Sequence, residues 1–148
     1  MTIFIGADHA GFEFKKQLSG FLSSNGYQVI DQVDQKPDPN DDFPQFAARV
    51  INNLMASKDS ETKAILICGS GQGMCMAANR FKGIRASLCW NQDEARAARN
   101  DDDSNVLCLS SRYQSLAEAQ SITTTWLNTA FAGAERFRRR IKELDELN

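Results

Sequence analysis

Apolar runs alternate with stretches of helical periodicity along the chain. Residues 2–7 read as a buried strand, and residues 10–25 as a helix with Phe14, Leu18, Phe21 and Leu22 on one stripe, stopped by Gly26. Residues 27–33 give a second strand. A loop rich in Pro, Asp and Asn over 36–42 leads into a helix from about Pro44, with Phe46, Val50, Ile51 and Leu54 at core spacing. Residues 63–68 are the most apolar run and the expected centre of a sheet. A helix over 71–81, a strand over 84–89, a helix over 92–100 and a strand over 106–109 follow. Two last helices, 115–131 and 135–147, are separated by Ala132-Gly133, and Phe137, Ile141 and Leu144 form the expected buried stripe of the second.

Strand and helix alternating in this way predict an α/β fold. The expectation is a three-layer α/β/α sandwich: a five-stranded parallel, Rossmann-like sheet in the order 2-1-3-4-5, with right-handed crossovers and a C-terminal helical extension. No repeat or linker interrupts the pattern, so residues 1–148 read as a single domain. In such sheets ligands bind beyond the carboxyl ends of the strands, at the switch point between strands one and three. The residues ending those strands are Gly6-Ala7-Asp8-His9-Ala10-Gly11 and Cys68-Gly69-Ser70-Gly71-Gln72-Gly73.

Composition narrows the classes. A net charge of −2 gives no general electrostatic grip on nucleic acid. No apolar run approaches the ~20 residues of a membrane span, and Met1-Thr2-Ile3-Phe4-Ile5-Gly6 lacks the charged start of a signal peptide. The expectation is a cytoplasmic protein with no nucleic-acid or membrane partner. Cys68, Cys75, Cys89 and Cys108 contain no C-x-x-C pair, so reduced thiols are expected. His9 is the one histidine, which excludes multi-histidine metal sites.

The chemistry concentrates where strand three ends. A thiol at Cys68, three glycines and a helix start place exposed amides where an oxyanion could sit, and the same field suits Cys68 to act as a base or nucleophile, the most reactive of the four thiols. A tight turn with a buried structural cysteine would look the same. Nucleotide motifs fail on spacing: G-x-G-x-x-G from Gly69 needs glycine at Met74, and the Gly-Lys-Ser/Thr of a P-loop is absent. Asp8 and His9 end strand one beside Cys68. In the last helix Arg136 and Arg140, four apart, share a face that could clamp a phosphate, in a run otherwise laced by pairs such as Glu135 with Arg139 and Lys142 with Glu146.

Together, Gly-Ala-Asp8-His9-Ala-Gly-Phe, Asp42-Phe43-Pro44, Ile-Leu-Ile-Cys68-Gly-Ser-Gly-Gln-Gly-Met, Ala-Ala-Asn79-Arg80, Gly83-Ile84-Arg85-Ala86, Asn105-Val106-Leu107 and Thr125-Trp126-Leu127 resemble the type B ribose-5-phosphate isomerase and galactose-6-phosphate isomerase family. The resemblance covers nearly the whole chain in order. It implies aldose–ketose isomerisation of a phosphorylated sugar through a cis-enediolate, without metal or organic cofactor. It implies Cys68 as the base, amides of Gly69, Gly71 and Gly73 around the enediolate oxygen, and Ser70 assisting proton handling. Asp8 would contact substrate hydroxyls, and His9, Arg136 and Arg140 the phosphate. Arg112 resembles an arginine that reaches the neighbouring subunit's site, which implies a homodimer or dimer of dimers, with a hetero-oligomer as the alternative.

The chain departs from this pattern at one informative place. The family's Arg-x-His-Asn-Asp-x-Asn reads here as Arg99-Asn100-Asp101-Asp102-Asp103-Ser104-Asn105, so Asp101 stands where the ring-opening histidine is expected and Asp102 beside it. Opening a furanose takes a proton delivered to the ring oxygen, which a histidine supplies near neutral pH and an ordinary ionised aspartate does not. A four-carbon aldose 4-phosphate needs no opening, and a chain that works only beside a complementary partner would not open the ring itself. Phe43 replaces the tyrosine common before the proline, and the segment before Arg136 is altered, with one apparent extra residue.

Overall fold

The structure, a computed structural model, describes residues 1–31 and 36–147. Its strands are β1 (Thr2–Ala7), β2 (Gln28–Asp31), β3 (Lys63–Cys68), β4 (Ala86–Leu88) and β5 (Val106–Ser110). The helices are α1 (Phe12–Ser24), α2 (Phe43–Ala56), α3 (Gln72–Ala78), α4 (Gln92–Asn100), α5 (Leu116–Asn128) and α6 (Glu135–Asp145), with a 3-10 turn at His9–Gly11. The last two residues of the predicted second strand, 32 and 33, lie outside the described residues. Among the described residues no helix is long and apolar enough to cross a membrane.

All strand pairs are parallel, and β3 lies at the centre, buried along its whole length. Its alternating side chains feed two cores. Ile65 and Ile67 join Ile3, Ile5, Leu107 and Leu109 under Leu18 and Leu22 of α1, Ala95 of α4 and Trp126 of α5. On the other face Ala64, Leu66 and Cys68 join Val106 and Cys108 under Val50 and Ile51 of α2 and Met74 of α3. Side chains two apart on a strand share a face, so one apolar run serves both layers.

The strand order is β2-β1-β3-β5-β4, which corrects the expected 2-1-3-4-5. β5 pairs with β3 from Ala64↔Val106 to Cys68↔Ser110, and β4 takes the outer edge. Burial is the physical reason: all five residues of β5 are buried, whereas the three of β4 are half-buried, and a strand covered on both sides belongs inside. The open side of β4 is occupied by a side chain. Asn79 accepts the Ala86 N–H at 2.8 Å and donates to the Ala86 carbonyl at 2.9 Å. Helix α3 is shorter than the predicted 71–81 for the same reason, since Asn79 caps it and turns to the sheet.

Elsewhere the helix signals act as read. Pro44 sits in the first turn of α2, and Ser115 and Glu118 form a reciprocal capping box at the start of α5. Helix α6 departs from expectation: only Phe137 is buried, while Leu144 is 49% and Leu147 79% exposed. Within one chain the predicted stripe is covered at Phe137, partly covered at Ile141 and left open at Leu144. Lys142–Glu146 pairs as expected, and Arg139 approaches Glu143 rather than Glu135.

Candidate active site

The turn after β3 is built around a sulfur. The Gly71 N–H donates to Cys68 Sγ at 3.1 Å, and the Gln72 N–H donates to Ser70 Oγ at 3.3 Å. Gly71 has φ +77°, and a Cβ there would sit 2.5 Å from Leu88 Cδ1, so only glycine closes this turn against β4. The Gly71 amide, expected among the oxyanion donors, donates to Cys68 Sγ in this structure. Gly69 is buried beside it and Gly73 half-buried. The Arg112 guanidinium packs over Gly69, with Nη2 3.4 Å from where a Cβ would be, and the Phe43 ring lies over Gly73, 3.0 Å from its would-be Cβ.

The placement of Arg112 is a correction. It reads in sequence as remote from the crevice between strands one and three, but the exchange of β4 and β5 brings the end of β5 beside Cys68. The Arg112 N–H donates to the Gly69 carbonyl at 3.0 Å, and the Ser111 N–H to the Cys68 carbonyl at 3.0 Å. Two serines that sequence reading passed over hold this corner. Buried Ser110 donates through Oγ to the Gly69 carbonyl at 2.7 Å, and Ser111 Oγ donates to the Ala10 carbonyl at 2.7 Å, tying the ends of β1, β3 and β5 together. Their signal was two polar residues directly after an apolar strand, at the ligand end.

At the end of β1, Asp8 accepts the Gly11 N–H at 3.0 Å, and burial pushes its carboxyl above the usual range. His9 beside it is engaged twice by Asp41: Nδ1 lies 2.6 Å from Oδ1, and the His9 N–H donates to Oδ2 at 2.7 Å. That carboxylate raises the imidazole above its ordinary value. Asp8, His9 and Asp41 each offer a donor atom within 4.8 Å of one another. The 2.6 Å contact is nevertheless a hydrogen bond, since two atoms held ~2.1 Å from one tetrahedral cation stand about 3.4 Å apart.

The remaining predicted residues form a second group at the opposite end of the sheet. Asp101 caps α4 and accepts from Asn100 Nδ2 at 2.7 Å, ahead of β5 rather than after it. Four strand steps at ~3.3 Å, about 13 Å, separate the two ends of β5. Asp102 and Arg140 face a cavity of about 530 Å³ bordered by Arg85 and Asn79. Burial and the adjacent Asp101 push the Asp102 carboxyl up, while Arg140 and Arg85 oppose the shift. Arg136 does not line that cavity; its guanidinium stacks on Phe137, 4.7 Å from the ring centroid. The loop carrying the two aspartates is anchored by Asp103, at φ +46°, which pairs with Arg85 at 3.1 Å and Arg99 at 2.7 Å.

All four cysteines are free. Cys75, half-exposed, is held below the usual thiol range by its contact with Cys108, whereas burial pushes Cys89 up to about 12 and Cys108 well up. Cys68 is only 5% exposed, so accessibility favours Cys75, not Cys68, as the first thiol to meet a bulky reagent.

A family model described as ribose/galactose isomerase matches residues 3–144, which takes in both groups of site residues. The chain belongs to this family. A probable ribose-5-phosphate isomerase B of Mycoplasma genitalium is 41% identical over 97% of the chain and 93% of its own length. The ribose-5-phosphate isomerase B of Mycolicibacterium paratuberculosis is 35% identical over 99% of the chain and 91% of its own. Among solved structures, the Clostridium thermocellum enzyme superposes with a TM-score of 0.93 at 36% identity, covering 99% of this chain and 97% of that one. The Mycoplasma genitalium enzyme with bound ribulose-5-phosphate superposes at 0.92 and 40%, covering 99% and 95%. The chain is an isomerase of the ribose/galactose isomerase family, and Asp8, His9, Cys68 and Ser70 lie at the carboxyl ends of β1 and β3.

Proposed function

We propose that the protein interconverts the aldose and ketose forms of a phosphorylated sugar, with Cys68 as the proton-transfer base. The observation that carries this reading is the Gly71 N–H aimed at Cys68 Sγ from 3.1 Å, a donor suited to a negatively charged sulfur. As a thiolate, Cys68 takes the proton from C2 of the aldose. The C–H electron pair becomes the C1=C2 bond, and charge collects on the oxygen of C1 as a cis-enediolate. The same thiol returns the proton to C1 while the proton of the C2 hydroxyl passes to the C1 oxygen, leaving the ketose. Amides at Gly69 and Gly73 hold the enediolate, Ser70 Oγ relays the hydroxyl proton, and Asp8 binds sugar hydroxyls. His9 and Arg112 lie on the same rim and take the phosphate end.

The second group is read as completing another chain's site. Asp101, Asp102 and Arg140 stand about a strand length from Cys68 in their own chain, Arg136 shares α6 with Arg140, and Leu144 near the end of α6 and Leu147 just after it are left uncovered. A homodimer that seats α6 against its partner would bury those leucines and bring the arginines to the partner's phosphate; pairing of dimers is compatible with it. Substrates are ribose 5-phosphate and ribulose 5-phosphate, or a tetrose phosphate that needs no ring opening. A complementary second chain is favoured only by Asp101 standing in the histidine position. The expected compartment is the cytoplasm.

Two measurements test this. Purified protein, without added metal, is assayed on four-, five- and six-carbon sugar phosphates, and turnover of none of them sinks the reading. Cys68→Ala and Arg140→Ala are then mixed under dissociating conditions and reassociated. Composite sites recover up to about a quarter of parental activity, because half the dimers are mixed and each mixed dimer holds one intact site; no recovery rejects the shared site.

A further inference from the structure

We propose that Asp41, on the loop over residues 36–42, is a positioning residue that holds the His9 imidazole as a donor at both ring nitrogens and so presents Nε2–H to the phosphate of the substrate. This rests on the reading of His9 as a phosphate contact. Asp41 belongs to none of the motif residues that sequence reading assigned to the site, and it reaches His9 across 32 positions of chain.

The geometry is specific. Both Asp41 oxygens are used on one residue, Oδ1 on the ring at 2.6 Å and Oδ2 on the backbone N–H at 2.7 Å, so the carboxylate fixes the ring and the start of the 3-10 turn together. Asp41 is well covered, its side chain 10% exposed, while the His9 ring is 38% exposed with its other edge toward solvent. With the Nδ1 proton committed to Asp41, a neutral ring would turn an acceptor lone pair at Nε2 toward an incoming phosphate and repel it. Only the doubly protonated ring offers an N–H there, and an adjacent carboxylate is what keeps the second proton on.

The surroundings act in the same direction. Asp8 on the preceding residue and Asp38 on the same loop add to Asp41 in favouring the charged imidazole. Lys36 and Asp42 of the loop and Arg49 of α2 border the same cavity of about 280 Å³. His9 donates, and Asp41 and Asp38 set its charge, with Asp8 adding to them from the sugar-binding side.

The chain has a single histidine, so one imidazole resonance in an NMR titration reports His9 without assignment. In Asp41→Asn the midpoint of that titration is expected to fall, and Asp41→Glu is expected to restore most of it. With a sugar phosphate the parent reacts with, Asp41→Asn raises KM five- to twentyfold at pH 7 while kcat at saturation stays within about threefold, and inorganic phosphate weakens as a competitor by a similar factor. An unchanged midpoint overturns the link between Asp41 and His9. A shifted midpoint with unchanged KM overturns its relevance to binding, and His9→Ala locates the fault. If that variant also leaves KM unchanged, the phosphate role of His9 is wrong; if it raises KM, only the role of Asp41 is.

Discussion

The backbone N–H of Gly71 points at the sulfur of Cys68 from 3.1 Å, in a turn that only a glycine at positive φ can close. The fold thus spends an amide on the thiol, and the enediolate must be held by the others. Cys68→Ala removes the base and leaves the turn intact. Its kcat should drop by three or more orders of magnitude with an unchanged circular dichroism spectrum, and parental turnover would refute the assignment of the base.

Asp101→His restores an imidazole at the mouth of the second group. Ribose 5-phosphate turnover should rise at least tenfold in kcat/KM, while an open-chain tetrose phosphate changes by less than threefold. Equal effects on both substrates would show that Asp101 has no part in ring opening.

Asp8 is a case of stability set against use. Burial raises its folded-state carboxyl, so the folded chain holds that proton more readily than the unfolded chain does. That contribution is fully present below the unfolded value of 3.8 and is lost as pH rises through the raised folded value. Asp8→Asn, which keeps an oxygen for the Gly11 N–H, should therefore melt higher than the parent at pH 7 and lose its advantage near pH 3, while its activity falls. A melting temperature at or below the parent's at pH 7 contradicts the sign.

Asp103→Ala removes the shared partner of Arg85 and Arg99 and leaves the nearly buried Arg99 guanidinium with the Ser104 carbonyl and the Trp126 ring but no counter-charge from Asp103. A loss of about 2 kcal/mol is expected by urea unfolding, with Asp103→Asn milder because asparagine accepts positive φ more readily. Equal stability in the two variants would remove both reasons.

Helices and the central strand were readable because each rests on a local signal. The unbroken burial of residues 63–68 needed only its apolar run, and α5 its capping box. The order of the last two strands was misread because chain order is a weak guide once a crossover can pass over a neighbour. The better clue was polarity: Arg85 and Ser87 in one strand, and the unbroken Val106-Leu107-Cys108-Leu109 in the other. That exchange carried Arg112 to Cys68. The Asp41–His9 pair left no comparable trace, since a loop aspartate with two others, Asp38 and Asp42, within five positions gains its meaning only from what it folds against.

The side chain of Asn79 imitates a sixth strand for the length of one residue. Its amide satisfies both groups that Ala86 turns outward from β4, so at this residue the edge offers a foreign strand no free donor and acceptor pair on which to begin zipping.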